Sequence, residues 1–211
     1  ESFAPLELQA CATGGEKLRT RPFLILHSGI VYALERDPTQ LFVALGRLRA
    51  KGTLDPKELR IRFRASVQEE LLRSLALAHG GSEFIDFCPA IAYREALAEM
   101  MASDALLVMQ SNHCNDQIPA KIYEYLRAGK PILGLTDPDG DTAGVLRQAG
   151  LNTIARLDSA EEIELALVAL VHALHRDNVT LPNASIVKQY SRRRKSQALV
   201  ALLEQASVKL V

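Results

Sequence analysis

The sequence predicts an α/β fold: a doubly wound, Rossmann-like parallel sheet of about six strands, with helices on both faces and a further helix at the C-terminus. Three observations carry this reading. Short apolar runs, such as Phe23 to His27 and Ala105 to Met109, alternate with stretches of helical period. The apolar runs are nearly continuous, as in strands buried on both faces. Glycines stop the helical stretches, at Gly52, Gly80-Gly81, Gly129 and Gly150. With right-handed crossovers, such βα repeats wind into one open sheet.

Taken in order, residues 1–21 have no clear period and hold Pro5, Gly14 and Gly15, so they read as a linker or crossover segment. Residues 22–180 form the Rossmann-like domain. Phe23 to His27 is its first strand, closed by the turn Ser28-Gly29. Asp37-Pro38 opens a helix with Leu41, Phe42, Ala44, Leu45 and Leu48 on its apolar face. Leu59 to Phe63 alternates apolar residues with Arg, as a strand does, and Val67 to Ala78 is helical. Glu83 to Phe87, Ala105 to Met109, Pro131 to Leu135 and Thr153 to Leu157 are the remaining strands. Tyr93 to Met101, Pro119 to Ala128, Thr142 to Ala149 and Ser159 to about Leu174 are the helices between and after them. Glu161 and Glu162 stand in the first turn of the last, where negative charge suits the dipole. Residues 181–211 make a helical tail: Arg192 to Lys195 lead a helix with Leu199, Leu202, Leu203 and Ala206.

Composition narrows the function. Lys plus Arg and Asp plus Glu are 25 each, so there is no basic excess of the kind nucleic-acid binders carry. With 5% aromatics and no Trp, platforms for base stacking are scarce. Cys11, Cys88 and Cys114 are odd in number and irregular in spacing, which reads as reduced thiols of a cytosolic protein. In that compartment the sequons at Asn178 and Asn183 are chance matches. No signal peptide opens the sequence, and the longest apolar run, near Leu165 to Leu174, is too short to span a bilayer. The start at Glu1, without Met, suggests a domain cut from a longer polypeptide.

Ligands of such sheets bind beyond the carboxyl ends of the strands, which directs attention to the loops after His27, Phe63, Phe87 and Met109. The last is the richest. Its polar run Gln110 to Gln117 feeds a helix with Pro119 near the first turn, a favoured place for proline. Unpaired amides at that helix start form a site for a phosphate or diphosphate. Lys121, Glu124 and Tyr125 follow at i, i+3 and i+4 and share one face. A cation and a carboxylate one turn from a phosphate site suit a nucleotide: the carboxylate accepts ribose hydroxyls, the cation meets the diphosphate. Against this stands an ordinary surface pair worth a few tenths of a kcal/mol.

The run Ile118-Pro119-Ala120-Lys121-Ile122-Tyr123-Glu124-Tyr125-Leu126-Arg127-Ala128-Gly129-Lys130-Pro131-Ile132-Leu133 resembles the donor-site signature of GT-B glycosyltransferases, most of all the retaining, family-four-like branch (glycosyl transferases group 1). Glu95-Ala96-Leu97, Met101 to Leu107, His27 to Tyr32 and Tyr190-Ser191-Arg192 are similar to weaker family segments, so the resemblance spans about Phe23 to Leu203. It implies a C-terminal, nucleotide-sugar-binding domain of a hexosyltransferase type. The donor is a UDP- or GDP-linked sugar, with no metal and no other cofactor. Glu124 matches the glutamate on the ribose. Asp116 matches the acidic residue that touches the donor sugar, one carbon shorter than the family's Glu. Ile91 and Tyr93 match the region that meets the base. Gly29 and the helix-start residues Asn115, Ile118, Pro119 and Ala120 line the donor. Arg36 matches the first cation of a phosphate-binding Arg/Lys pair. No lysine follows Arg36 at the usual spacing, so the pair is incomplete or Lys121 substitutes. The catalytic set implied is therefore Asp116, Lys121 and Arg36. The partner implied is an N-terminal acceptor domain of the same polypeptide, without which no sugar is transferred. The setting implied is bacterial, in the synthesis of cell-envelope polysaccharide.

Other features read more plainly. His113-Cys114 lacks a second ligand pair and His172 with His175 lacks a third ligand, so loop and surface roles outweigh metal binding. Cys88 before Pro89 reads as a small buried thiol. Ser28 lacks the spacing of a hydrolase elbow, and neither Gly14-Gly15 nor Gly80-Gly81 leads a phosphate-loop lysine. The basic run Arg192 to Lys195 is a solvated helix start or a contact with acidic lipid at the inner membrane face. Three alternatives stay open: a sugar-nucleotide 2-epimerase half, a non-catalytic flavodoxin-like signalling domain, and a transferase fold that has lost activity.

Overall fold

The computed structural model describes residues 21–32 and 34–208. The segment read as linker, with Cys11 and the Gly14-Gly15 pair, lies outside the described residues except for Arg21, and so does the side chain of Ala206.

Six strands form one sheet: β1 Phe23–Ser28, β2 Leu59–Arg64, β3 Ile85–Cys88, β4 Ala105–Met109, β5 Ile132–Leu135 and β6 Ile154–Ala155. Their order is β3-β2-β1-β4-β5-β6 and every neighbouring pair is parallel. The winding direction therefore reverses between β1 and β4, and the crevice beyond their carboxyl ends is where such sheets take ligands. The helices are α1 Thr39–Ala50, α2 Glu69–Ala78, α3 Tyr93–Ala102, α4 Lys121–Ala128, α5 Asp141–Gln148, α6 Ala160–His175, α7 Ala184–Gln189 and α8 Arg192–Val208.

The period-two alternation of the strands sorts the core into two layers. Ile25, Leu107 and Leu133 face α1, α2 and α6, packing with Leu41, Phe42, Leu72 and Leu167. Leu26, Leu106, Val108 and Ile132 face α3, α4 and α5, packing with Leu97, Ile122, Tyr125 and Leu146. Each such Leu, Ile or Phe contributes about 1.5–3 kcal/mol by leaving water. This double burial is why β4 and β5 carry no polar side chain and β1 is apolar from Phe23 to Leu26.

β2 departs from that pattern. Leu59, Ile61 and Phe63 join the first layer, but Arg60, Arg62 and Arg64 project from the opposite face. There Glu99 of α3 takes Arg64 at 2.6 and 2.8 Å and Arg62 at 3.0 Å, and Asp86 takes Arg60. Arg64 Nη1 also donates to the Pro89 carbonyl at 2.7 Å, which fixes the loop leading into α3.

Several boundaries differ from the sequence expectation. α2 starts at Glu69 and not Val67, because Ala65 and Val67 have φ of 59° and 74°, a left-handed backbone that cannot enter a helix. α4 starts at Lys121; Pro119 lies in the turn before it, where the Pro119 carbonyl accepts Ile122 N–H at 2.9 Å. The strand expected over Thr153 to Leu157 pairs only at Ile154–Ala155. The helical tail opens with a separate six-residue helix, α7, which Asn183 caps by accepting Ser185 N–H at 2.9 Å. Gly129 ends α4 at φ 69°, the left-handed stop that its glycine signalled.

Candidate functional site

Gly29 ends β1 at φ +111°, and its amide donates to the Arg64 carbonyl at 2.8 Å. On the other side of the switch point, β4 feeds a loop with a single turn at Asn112–Cys114, and the loop feeds α4. Tyr125 locks the two together. Its side chain is fully buried and its hydroxyl oxygen accepts Ser28 N–H at 2.8 Å; burial raises the phenol's pKa, so it stays neutral.

That anchor brings the start of α4 against the end of β1. Lys121 Nζ lies 3.1 Å from His27 Nε2, and a Cβ on Gly29 would stand only 3.2 Å from the same nitrogen. Glycine at 29 therefore serves twice, for its positive φ and for the close approach of the amine. His27 is wholly buried, and its Nδ1 lies 3.0 Å from the Leu107 carbonyl. A carbonyl only accepts, so Nδ1 carries the hydrogen and bare Nε2 receives one from Lys121. Burial, then the Lys121 charge, holds the imidazole's pKa well below its ordinary value and keeps it neutral.

The same burial, reinforced by the Arg36 charge and opposed by Glu124, brings the Lys121 amine down to about 7. Arg36 donates from Nη1 to the Ile30 carbonyl at 3.1 Å and its guanidinium lies 5.1 Å from the Tyr32 ring centre; its Nε is buried with no partner. Neither cation forms an ion pair with a described carboxylate. The amides of Ala120 and Lys121 find no backbone acceptor. Two partly desolvated cations and a bare helix start thus converge on one spot with no carboxylate paired to them, Glu124 acting only from one turn away. Such an arrangement suits an anion.

One turn along α4, Glu124 is half-buried and its Oε1 accepts the Tyr93 hydroxyl at 2.9 Å. That hydrogen bond, chiefly, raises the Tyr93 phenol. Tyr93 starts α3, where Glu95 caps the helix by accepting Ala92 N–H at 3.1 Å. Ile91 is half-buried in the same loop, two residues before Tyr93.

The structure thus gathers Gly29, Arg36, Lys121, Glu124 and Tyr93, with Pro119 buried and Ala120 exposed at the helix start and Ile118 packed on the α4 core. Asn115 is occupied otherwise: its Nδ2 donates to Asp137 at 2.7 Å and its Oδ1 rests beside Gly140, tying the loop to the β5–α5 turn. Asp116 is exposed and has no polar partner among the described residues. His27 and the Tyr125 hydroxyl are the functional groups that residue-by-residue reading passed over; a histidine closing an apolar strand was the available signal. No group of three or more His, Cys, Asp or Glu among the described residues is placed to hold a metal ion. His172 and His175 are exposed, and His175 pairs with Glu58 at 2.5 Å. Cys88 and Cys114 are half-buried free thiols. No described helix is long and apolar enough to cross a membrane.

No protein-family model matches the chain, and no curated protein matches it in sequence. Solved structures do match in shape. The α,α-trehalose 6-phosphate synthase of Burkholderia multivorans aligns with TM-score 0.66 at 15% identity, over 99% of this chain and 48% of that one. WaaG, a glycosyltransferase involved in lipopolysaccharide biosynthesis, aligns with TM-score 0.58 at 17% identity, over 98% of this chain and 50% of that one. The E. coli trehalose-6-phosphate structure bound with UDP-2-fluoro glucose gives 0.61 at 15%, over 96% and 50%. The chain therefore spans about half the length of these structures and shares their fold, that of GT-B glycosyltransferases.

Proposed function

We propose that this chain is the C-terminal, donor-binding domain of a retaining, family-four-like glycosyltransferase that takes a UDP- or GDP-linked sugar and needs no metal. Residues 22–180 form the binding domain proper and residues 181–211 its helical tail. The observation that carries this is the partly desolvated pair Lys121, at the start of α4, and Arg36, from the β1–α1 loop, neither in an ion pair with a described carboxylate, with Glu124 one turn further along α4.

The cations and the free amides of α4 receive the diphosphate. As the glycosyl bond breaks, negative charge grows on the departing diphosphate, and fixed positive groups in a water-poor site stabilise it without reorganising. Glu124, aligned by Tyr93, accepts the ribose hydroxyls. Ile91 borders the base. Asp116 faces the donor sugar from the loop before α4. Asn115, Ile118, Pro119 and Ala120 shape the floor of the site through backbone and packing.

The acceptor groups belong to an N-terminal domain of the same polypeptide, a reading favoured by the half-length match to its structural neighbours. WaaG's role in lipopolysaccharide biosynthesis favours a bacterial, cell-envelope setting at the cytoplasmic face of the membrane.

Titration of the domain with UDP, GDP and ADP, beside a Glu124→Ala variant, tests the proposal. Saturable binding of one nucleotide, weakened about tenfold or more in the variant by loss of charge-assisted hydrogen bonds, is expected. Failure of all three to bind at millimolar concentration would overturn it.

A further inference from the structure

His27 is wholly buried in a position that an aliphatic side chain would fill at no cost in polarity. It is instead held in one tautomer by the Leu107 carbonyl at 3.0 Å, so that its bare nitrogen faces Lys121 Nζ at 3.1 Å. This is an unusual partner for a lysine. A carboxylate there would neutralise the amine and occupy the anion's place. A neutral imidazole fixes the position of the amine without pairing it to a negative charge. We infer that His27 is the positioning residue of this site: its Nε2 holds the Lys121 amine against Gly29, and an arriving diphosphate meets the amine there and draws a proton from solvent onto it. The inference rests on the donor-site reading given above.

The groups acting on Lys121 are few. From β1 there is neutral His27; from the β1–α1 loop, Arg36, which repels a second positive charge; from α4, Glu124, which attracts one, and neutral Tyr125. From α3, the Tyr93 hydroxyl is already spent on Glu124. Burial and Arg36 outweigh Glu124, leaving the amine at about 7. At pH 8 such an amine is about one-tenth protonated, and a diphosphate within hydrogen-bond distance restores the charged form. The proton comes from buffer; no bond other than N–H forms or breaks.

The experiment is calorimetric titration at pH 8 in two buffers of different ionisation enthalpy. The probe is UDP-glucose, or its GDP counterpart if the nucleotide titration selects guanine; its diphosphate carries no group that titrates near that pH. Uptake of about 0.9 proton per site is expected for the wild type, and none for Lys121→Met. His27→Phe removes the acceptor. It should shrink the preference for UDP over UMP about tenfold while leaving UMP affinity nearly unchanged, and His27→Gln, which keeps an acceptor, should restore most of that preference. Equal losses for UMP and UDP in His27→Phe would make His27 a packing residue and overturn the inference. Binding by the wild type without proton uptake would overturn it too, whether or not His27→Phe folds, and would leave the donor-site reading standing. No binding of any nucleotide would overturn both.

Discussion

At the carboxyl end of β2, Arg62 and Arg64 close on Glu99 at 2.6 to 3.0 Å, and Glu99 is held below its ordinary carboxylate value by those hydrogen bonds and charges, which outweigh the opposing effect of burial. At the neighbouring end of β1, Lys121 and Arg36 meet no described carboxylate, and Lys121 falls to about 7. Both clusters are partly removed from water. The first is satisfied by the protein and adds to the fold. The second is left without a paired carboxylate, and holding a charge on Lys121 there costs the fold stability. Protein charges left without a partner at a sheet's ligand-binding edge mark a site whose partner comes from outside.

The contrast breaks first at Glu99. Glu99→Gln strands two arginines against α3 and should cost about 2–3 kcal/mol, less than a fully buried pair because the arginines keep some contact with water. Urea denaturation reads this directly, and the melting temperature should fall by roughly 5–10 °C. A loss under about 0.5 kcal/mol would place the network with ordinary surface pairs.

The opposite sign is expected at Lys121. Its folded value of about 7 lies below the ordinary 10.5, so between those limits the unfolded chain binds more protons than the native one. Stability from this group therefore rises with pH across that window. Lys121→Met should be at least as stable as wild type at pH 7, and the wild type should gain about 1–2 kcal/mol on the variant by pH 9. Denaturation curves that stay parallel from pH 7 to 9 would show the amine to be solvated.

Much of this fold was legible because its signals are local. The apolar runs of β1, β4 and β5, the glycine stop at Gly129 and the alternation of β2 all depend on neighbours in sequence. The errors lie where distant contacts decide. Ala65 and Val67 take left-handed backbone against their intrinsic preference, in a loop whose Ala65 N–H bonds to the Cys88 carbonyl of β3. β6 is cut to two residues by where β5 ends beside it. In the site, the spacing of Lys121, Glu124 and Tyr125 on one helix face was visible; their division of labour was not. Lys121 reaches His27, Glu124 accepts from Tyr93 and Tyr125 is a buried anchor to Ser28. His27 was overlooked because its partner stands 94 positions away. Asn115 looked like a loop ligand, and its tie to Asp137 became visible only with the β5–α5 turn in place.

The central claim, that the cations at the start of α4 are reserved for a diphosphate, is tested most directly by comparing wild type and Lys121→Met in their affinity for the nucleoside diphosphate the domain selects. Loss of one partly desolvated, charge-assisted contact should weaken binding about 30- to 100-fold with the fold intact. Equal affinity in the two proteins would contradict the claim.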